Sequence, residues 1–128
     1  MKKITLVLVA LLTLVFTGCK TEDSKVTVNV HDTLGVPVAN RYVLYADYAS
    51  IITGEILPSP DALMTDIPDY YEYAQTNAAG SVVIPISLSV SKIKYYFTVF
   101  DEGSNKWIDK TVELKRGVNE EINFEVNK

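Results

Sequence analysis

From Lys25 onward the chain alternates apolar and polar residues with a period of two, and that pattern constrains its fold more than any other feature. In Lys25-Val26-Thr27-Val28-Asn29-Val30 the three valines share one face and the polar residues share the other. Successive side chains of a strand point to opposite sides of the sheet, so such a run has one face to bury and one to wet. Val82, Ile84 and Ile86 repeat the pattern, and so do Ile122, Phe124 and Val126, interleaved with Glu121, Asn123 and Glu125. Val43 and Tyr45 share a face of a further strand, and Val112 and Leu114 share a face of another. Beyond the first twenty residues no 3.6-residue stripe occurs, and only residues 60–69 have room for a helical turn.

Turn residues punctuate these runs. Asp32-Thr33-Leu34-Gly35-Val36-Pro37, Asn77-Ala78-Ala79-Gly80 and Arg116-Gly117 each place a glycine where the chain must reverse. The spacing predicts strands near 25–30, through Val43 and Tyr45, from about Tyr70, through Val82–Ile86, over 92–101, over about 107–115, and through Ile122–Val126. That is an all-β chain: a single antiparallel Greek-key β-sandwich of about seven strands over residues 25–128, with an insertion at about 46–69. At about 105 residues it has the length of one ordinary domain, and needs neither disulfide nor metal to bury a core.

The start of the chain has a different character. Lys2 and Lys3 precede an apolar stretch from Ile4 to Phe16 that is broken only by Thr5 and Thr13. A transmembrane helix needs roughly 20 apolar residues, so this run has the length of a signal-peptide core and not of a span. Thr17 and Gly18 supply small residues before a cut, and residues 1–18 are expected to be removed. Leu14-Val15-Phe16-Thr17-Gly18-Cys19 resembles the lipobox of bacterial lipoproteins, with Phe16 standing where leucine is commonest. The resemblance implies that Cys19, the only cysteine, carries a diacylglyceryl thioether. Two or more acyl chains hold a protein stably on a bilayer, at about 0.8 kcal/mol per buried CH₂. Lys20-Thr21-Glu22-Asp23-Ser24 would be a short tether, and a lysine followed by acidic residues is similar to the surface-export signal of Bacteroidetes lipoproteins. The expected location is therefore the cell envelope, lipid-anchored, with the outer membrane favoured.

A second resemblance covers most of the domain. Residues 32–40, Asp32-Thr33-Leu34-Gly35-Val36-Pro37-Val38-Ala39-Asn40, are followed by Thr76-Asn77-Ala78-Ala79-Gly80-Ser81-Val82-Val83-Ile84-Pro85 and then Tyr96-Phe97-Thr98-Val99. Together they look like the transthyretin-like (prealbumin) sandwiches, which include carboxypeptidase regulatory-like and collagen-adhesin B-type repeats. Residues 46–69 depart from that pattern by their length. Some of these sandwiches carry a Lys–Asn isopeptide bond between first and last strands. Here Lys25, Asn123 and Asn127 fall out of phase with the buried residues, so the resemblance implies no such bond.

Removing Lys2 and Lys3 leaves ten basic residues against sixteen acidic ones, a net charge of −6. Phosphate backbones require a basic face, so nucleic acid is not an expected partner. The imbalance is concentrated, since no Lys or Arg occurs between Arg41 and Lys92 while Asp47, Glu55, Asp61, Asp66, Asp69 and Glu72 all do. Asp61, Asp66 and Asp69, with Glu72, are candidate cation ligands, but they lack the Asp-x-Asp-x-Asp-Gly spacing of an EF-hand, so a solvated acidic loop is the expected state. No cofactor is expected.

Catalytic motifs are scarce. His31 is the only histidine, which excludes a two-histidine metal site or mechanism, and nothing of the form Gly-x-Ser-x-Gly occurs. The expectation is a chain that is not an enzyme. Aromatic residues offer more: Tyr95, Phe97 and Val99 share one face of the fifth strand, and Tyr96 and Phe100 share the other. One of those faces must point away from the core. Tyr96, Phe100 and Trp107, with Tyr70 and Tyr71, are the candidate ligand-binding aromatics, either an exposed patch for a glycan or protein or a face covered by the insertion. The function these features imply is an envelope binding, adhesion or accessory module, with a structural subunit of an envelope complex as the alternative.

Finally, five extended tether residues reach only about 17 Å, so the first strand begins near the membrane. If strands alternate in direction, the turns at Gly35, Gly80 and Gly103 lie at the far end, and the insertion returns toward the bilayer unless it adds a strand.

Overall fold

The computed structural model describes residues 23–51 and 57–127. Seven strands follow one another: β1 (Asp23–Asp32), β2 (Tyr42–Asp47), β3 (Glu72–Gln75), β4 (Ser81–Ser87), β5 (Lys92–Asp101), β6 (Lys106–Lys115) and β7 (Glu120–Val126). A 3-10 turn at Tyr48–Ser50 and a single helical turn, α1 (Pro60–Leu63), lie between β2 and β3. The strands form two sheets, β4-β1-β7 and β3-β2-β5-β6. The expected all-β sandwich is present. Cys19, residues 1–18 and most of the tether lie outside the described residues.

One strand pair departs from the antiparallel expectation. β1 and β7 run parallel, with Val26 opposite Glu120 and Asp32 opposite Val126. The reason lies in the crossings between sheets. β6 delivers the chain to the same end at which β1 begins, where the Ser24 hydroxyl donates to the Lys115 carbonyl at 2.6 Å, so β7 starts beside β1 and runs the same way. Period-two alternation reports which face a residue occupies and carries no information on the direction of a partner strand.

Between the sheets, Val26, Val28, Val30, Ile84, Ile86, Ile122, Phe124 and Val126 meet Val43, Phe97, Val99 and Leu114. Each such side chain, fully buried, contributes about 1.5–3 kcal/mol. The outer face of the three-stranded sheet is mostly polar, with Lys25, Asn123 and Glu121 exposed, although Val83 is exposed there too. Lys25 lies opposite Pro85 while Asn123 lies opposite Asn29, four positions along, so the register does not bring Lys25 to either C-terminal asparagine.

The central strands of the larger sheet, β2 and β5, are covered on both faces over much of their length. Leu44, Ala46, Leu63 and Tyr71 form a second core on the sheet's outer side, with Ile51, Leu57, Ile67, Tyr70, Tyr96 and Trp107 packed around them. Hence Val43 and Leu44, adjacent and therefore on opposite faces, are both fully buried. The segment between β2 and β3 supplies this cover. It contains helical turns and no strand among its described residues, and Tyr70 and Tyr71 belong to it, since β3 starts only at Glu72.

The turns at Gly35, Gly80 and Gly103 gather at one end, as alternating strand directions predict, and the turn at Gly117 lies at the other. Gly80 takes φ +72, and its carbonyl accepts from Val30 N at 2.7 Å. Thr76, 2 % exposed, donates its hydroxyl to the Val38 carbonyl at 2.7 Å and accepts from Arg41 N at 2.9 Å. Gly103 N donates to the Asn127 carbonyl at 3.0 Å, fixing the last strand at this same distal end.

Asp101 completes that attachment. Its carboxylate, 3 % exposed, accepts from Asn127 N at 2.6 Å and from the Ser104 hydroxyl at 2.7 Å. The Ser104 hydroxyl, followed by the Asn127 donors, holds the carboxyl below the usual carboxylate range against the opposing effect of burial. A carboxyl that binds its proton more weakly in the folded state stabilises the fold fully above the unfolded value of about 3.9, and that contribution is lost as pH falls through the lower folded value. Asp101→Ala is expected to cost about 2 kcal/mol at neutral pH by leaving Asn127 N and Ser104 without an acceptor. Urea unfolding should show the difference from wild type narrowing below about pH 3.9. A pH-independent difference would mean that packing, and not the charge, carries the effect.

Candidate functional site

A cleft opens at the distal end, where the start of β2 and the end of β5 meet the insertion. It has a volume of about 350 Å³ and is lined by Asn40, Arg41, Tyr42, Ser59, Pro60, Asp61, Phe100 and Glu102. Tyr42 and Phe100 lie on the outer face of the large sheet, next to each other in the β2–β5 register that pairs Val43 with Val99. Phe100 packs edge-on against Trp107, ring centroids 5.4 Å apart, and the Trp107 indole donates to the Pro58 carbonyl at 2.8 Å. That hydrogen bond carries the insertion up to the cleft, so Ser59 and Asp61 form one wall.

Arg41 is the cation of the site. Its Nη1 donates to Glu102 Oε1 at 2.8 Å, with the arginine side chain 12 % exposed and the glutamate 57 %. An ion pair with so exposed a partner stabilises the fold by about 0–1 kcal/mol, so it orients the guanidinium more than it holds the fold together. Arg41 Nε is buried with no hydrogen-bond partner, a rare condition for a polar atom. The cleft thus presents one guanidinium, two carboxylates, the Asn40 amide and the Ser59 hydroxyl beside Tyr42 and Phe100.

The aromatics singled out in the sequence fall mostly beneath the insertion. Tyr70 and Tyr71 lie with centroids 4.9 Å apart, and Tyr71 is 6.3 Å from Tyr96. Phe100 and Tyr71 are buried, while Tyr70, Tyr96 and Trp107 are half-buried. Phe100 alone among them lines the cleft. Burial and the Asp109 carboxylate push the Tyr96 phenol well above its ordinary value, and Asp109 also accepts from the Thr98 hydroxyl at 3.0 Å. On the inner face Tyr45 is pushed up to about 12 by burial and by Glu72. Both phenols stay neutral donors at neutral pH.

Asp61 lines the cleft, and Asp66 and Asp69 are exposed farther along the insertion. Among the described residues no three His, Cys, Asp or Glu side chains come together as a metal site. His31 sits half-buried at the end of β1, bridged to Pro37. Sequence reasoning missed Arg41, Glu102, Asn40, Tyr42 and Ser59. The only signal was that Arg41 is the last basic residue before the long acidic stretch.

No family model matches this chain, and no curated protein matches it. Among solved structures the chain is similar to the 3-chlorocatechol 1,2-dioxygenase from Rhodococcus opacus 1CP. The TM-score is 0.51 at 10 % identity, over 85 % of this chain and 61 % of that one. The chain thus spans about three fifths of the length of the structure it matches. This likeness corrects the expectation that the chain is not an enzyme: an enzyme shares its sandwich, so scarce catalytic motifs do not exclude catalysis. At that identity the likeness shows the fold alone, and the dioxygenase activity belongs to the other protein.

Proposed function

We propose that this chain is a cell-envelope lipoprotein, anchored through Cys19, whose transthyretin-like sandwich serves as a binding module with the distal cleft as its ligand site. The observation that carries the reading is the placement of that cleft at the end of the sandwich opposite the start of β1. A chain held by its N-terminus at a membrane presents this end to whatever lies beyond. The transthyretin-like assignment is supported by the way its two motifs interlock, with Gly80 packed against Val30 and Pro37. An outer-membrane position facing away from the bilayer fits the Lys20-Thr21-Glu22-Asp23 segment.

The ligand class is a glycan. Sugars offer vicinal hydroxyls to planar, bidentate groups and apolar C–H faces to aromatic rings, and the cleft sets Arg41, Asp61, Glu102 and Asn40 beside Tyr42 and Phe100. Oligosaccharide arrays probed with the purified full chain should show binding that weakens on the order of tenfold in Arg41→Met and in Glu102→Gln, as expected for loss of a charge-assisted hydrogen bond. Lys110→Met, away from the cleft, should bind like wild type. An array without signal, or signal unchanged in both cleft variants, would remove the reading. A structural-subunit reading draws on Leu34, 87 % exposed, and Val36, 49 % exposed, on the distal β1–β2 loop. A stable partner recovered from cross-linked envelopes and lost in Leu34→Ser would favour it.

A further inference from the structure

The end of the sandwich opposite the cleft has a surface of its own. There the connection between β4 and β5 and the turn between β6 and β7 lie together, tied by Arg116 N donating to the Ser91 carbonyl at 3.0 Å. β1 starts beside them, with Ser24 bonded to the Lys115 carbonyl. Val90 at the tip of one connection is 47 % exposed, and Val118 at the tip of the other is 42 % exposed. Lys92, Lys115 and Arg116, all exposed, flank the two valines along the connections, and Lys92 lies opposite Lys115 in the β5–β6 register. Residues 88–92 and 115–119 hold these three basic side chains, with Glu120 directly after the second connection and Asp23 at the start of β1 as the acidic residues nearest to them in the fold.

We infer that this basal surface is a docking face for a bilayer bearing anionic phospholipid headgroups. The inference rests on the anchoring proposed above, and it adds an orientation that anchoring alone does not impose. Four peptide links separate Cys19 from Asp23, a reach of about 14 Å, so a lipid on Cys19 brings the start of β1 to the headgroup region. The surface beside that start offers what an anionic interface accepts: exposed apolar tips that enter the acyl boundary, with cations next to them in the chain that meet the phosphates. The opposite end carries Asp61 and Glu102 around its cleft against the one cation Arg41, itself paired with Glu102, so the cleft is net acidic and less suited to an anionic surface. Charge and tether length therefore point the same end down, and the docked sandwich stands with its cleft outward.

The test uses the full chain purified with its lipid and placed in phosphatidylcholine vesicles with and without phosphatidylglycerol. Intact mass first establishes whether Cys19 is acylated. Because Cys19 is the only native cysteine, Val118→Cys or Leu34→Cys then supplies one free thiol for a nitroxide label. In anionic vesicles the label at position 118 should be reached by oxygen dissolved in the bilayer and shielded from a water-soluble nickel chelate, and the label at position 34 should show the reverse. Combining Lys92→Glu, Lys115→Glu and Arg116→Glu should abolish the difference. An acylated chain whose two labels stay equally accessible to the chelate would overturn the docking face and leave the anchor standing. A chain carrying no lipid would overturn both.

Discussion

Gly80→Val is expected to destabilise the fold by about 3 kcal/mol, combining about 1–2 kcal/mol for a side chain at positive φ with about 1–3 kcal/mol for overpacking. A Cβ at Gly80 would stand 2.6 Å from the Val30 carbonyl oxygen, 2.9 Å from Pro37 Cβ and 3.0 Å from Val38 N. Two of those three atoms are backbone, so neither neighbour can swing aside as a flexible side chain would. The same carbonyl accepts from Val38 N at 2.9 Å, so displacing it also strains the bond that closes the first turn. Gly35 is the internal control: its φ is +80, yet nothing lies within 4 Å of a Cβ there. Gly35→Val should therefore show only the conformational part, about 1–2 kcal/mol. Guanidinium unfolding of the two variants separates steric contact from backbone preference. Equal losses would mean that the distal turns do not pack as described.

Leu63→Ala is expected to cost about 3 kcal/mol, within the range for a large-to-small change at a buried site. Leu63 is 2 % exposed and is the buried residue of α1, where it sits among Leu44, Ala46 and Tyr71. The loss should be local. Once Leu63 no longer fills the second core, the insertion around Pro58 is held less firmly, and the Trp107 indole bond to the Pro58 carbonyl should open more often. The tryptophan is unique in the chain, so its emission should shift to the red while the far-ultraviolet signature of the sandwich stays unchanged. Amide exchange should accelerate over residues 57–71 and stay slow in β1, β4 and β7. Uniform acceleration across both sheets would show instead that the insertion and the inner core unfold as one unit.

Legibility in the sequence followed the physics of burial. Strands with one wet face announced themselves: β1, β4 and β7 alternate because their outer sides meet water, and their boundaries fall within a few residues of the expected ones. β2 was harder to place because both its faces are covered. Tyr42-Val43-Leu44-Tyr45-Ala46 is an unbroken run with no polar residue at alternate positions, which is the pattern of a strand buried on both sides. The same run signals that something must lie over the outer face. Tyr96 and Phe100 gave that signal on β5, and the insertion meets it with Leu63, Ile67 and Tyr71.

Other features had no one-dimensional trace. The parallel β1–β7 pair follows from where β6 delivers the chain. The Arg41–Glu102 pair joins residues 61 positions apart. Asn40 precedes Arg41 at φ +57, a conformation that asparagine tolerates better than most residues, but the turn motif alone did not mark the arginine after it. The basal surface likewise depends on two short connections, 27 positions apart at Ser91 and Val118, meeting beside the start of β1.

The central claim is that Cys19 holds this sandwich at a membrane, which sets one end toward the bilayer and the other toward a ligand. Metabolic labelling with an alkyne fatty acid tests it most directly. Wild-type chain should take up the label and partition with membranes, and Cys19→Ala should do neither. Equal labelling of the two chains, or an unlabelled wild type, would contradict the claim.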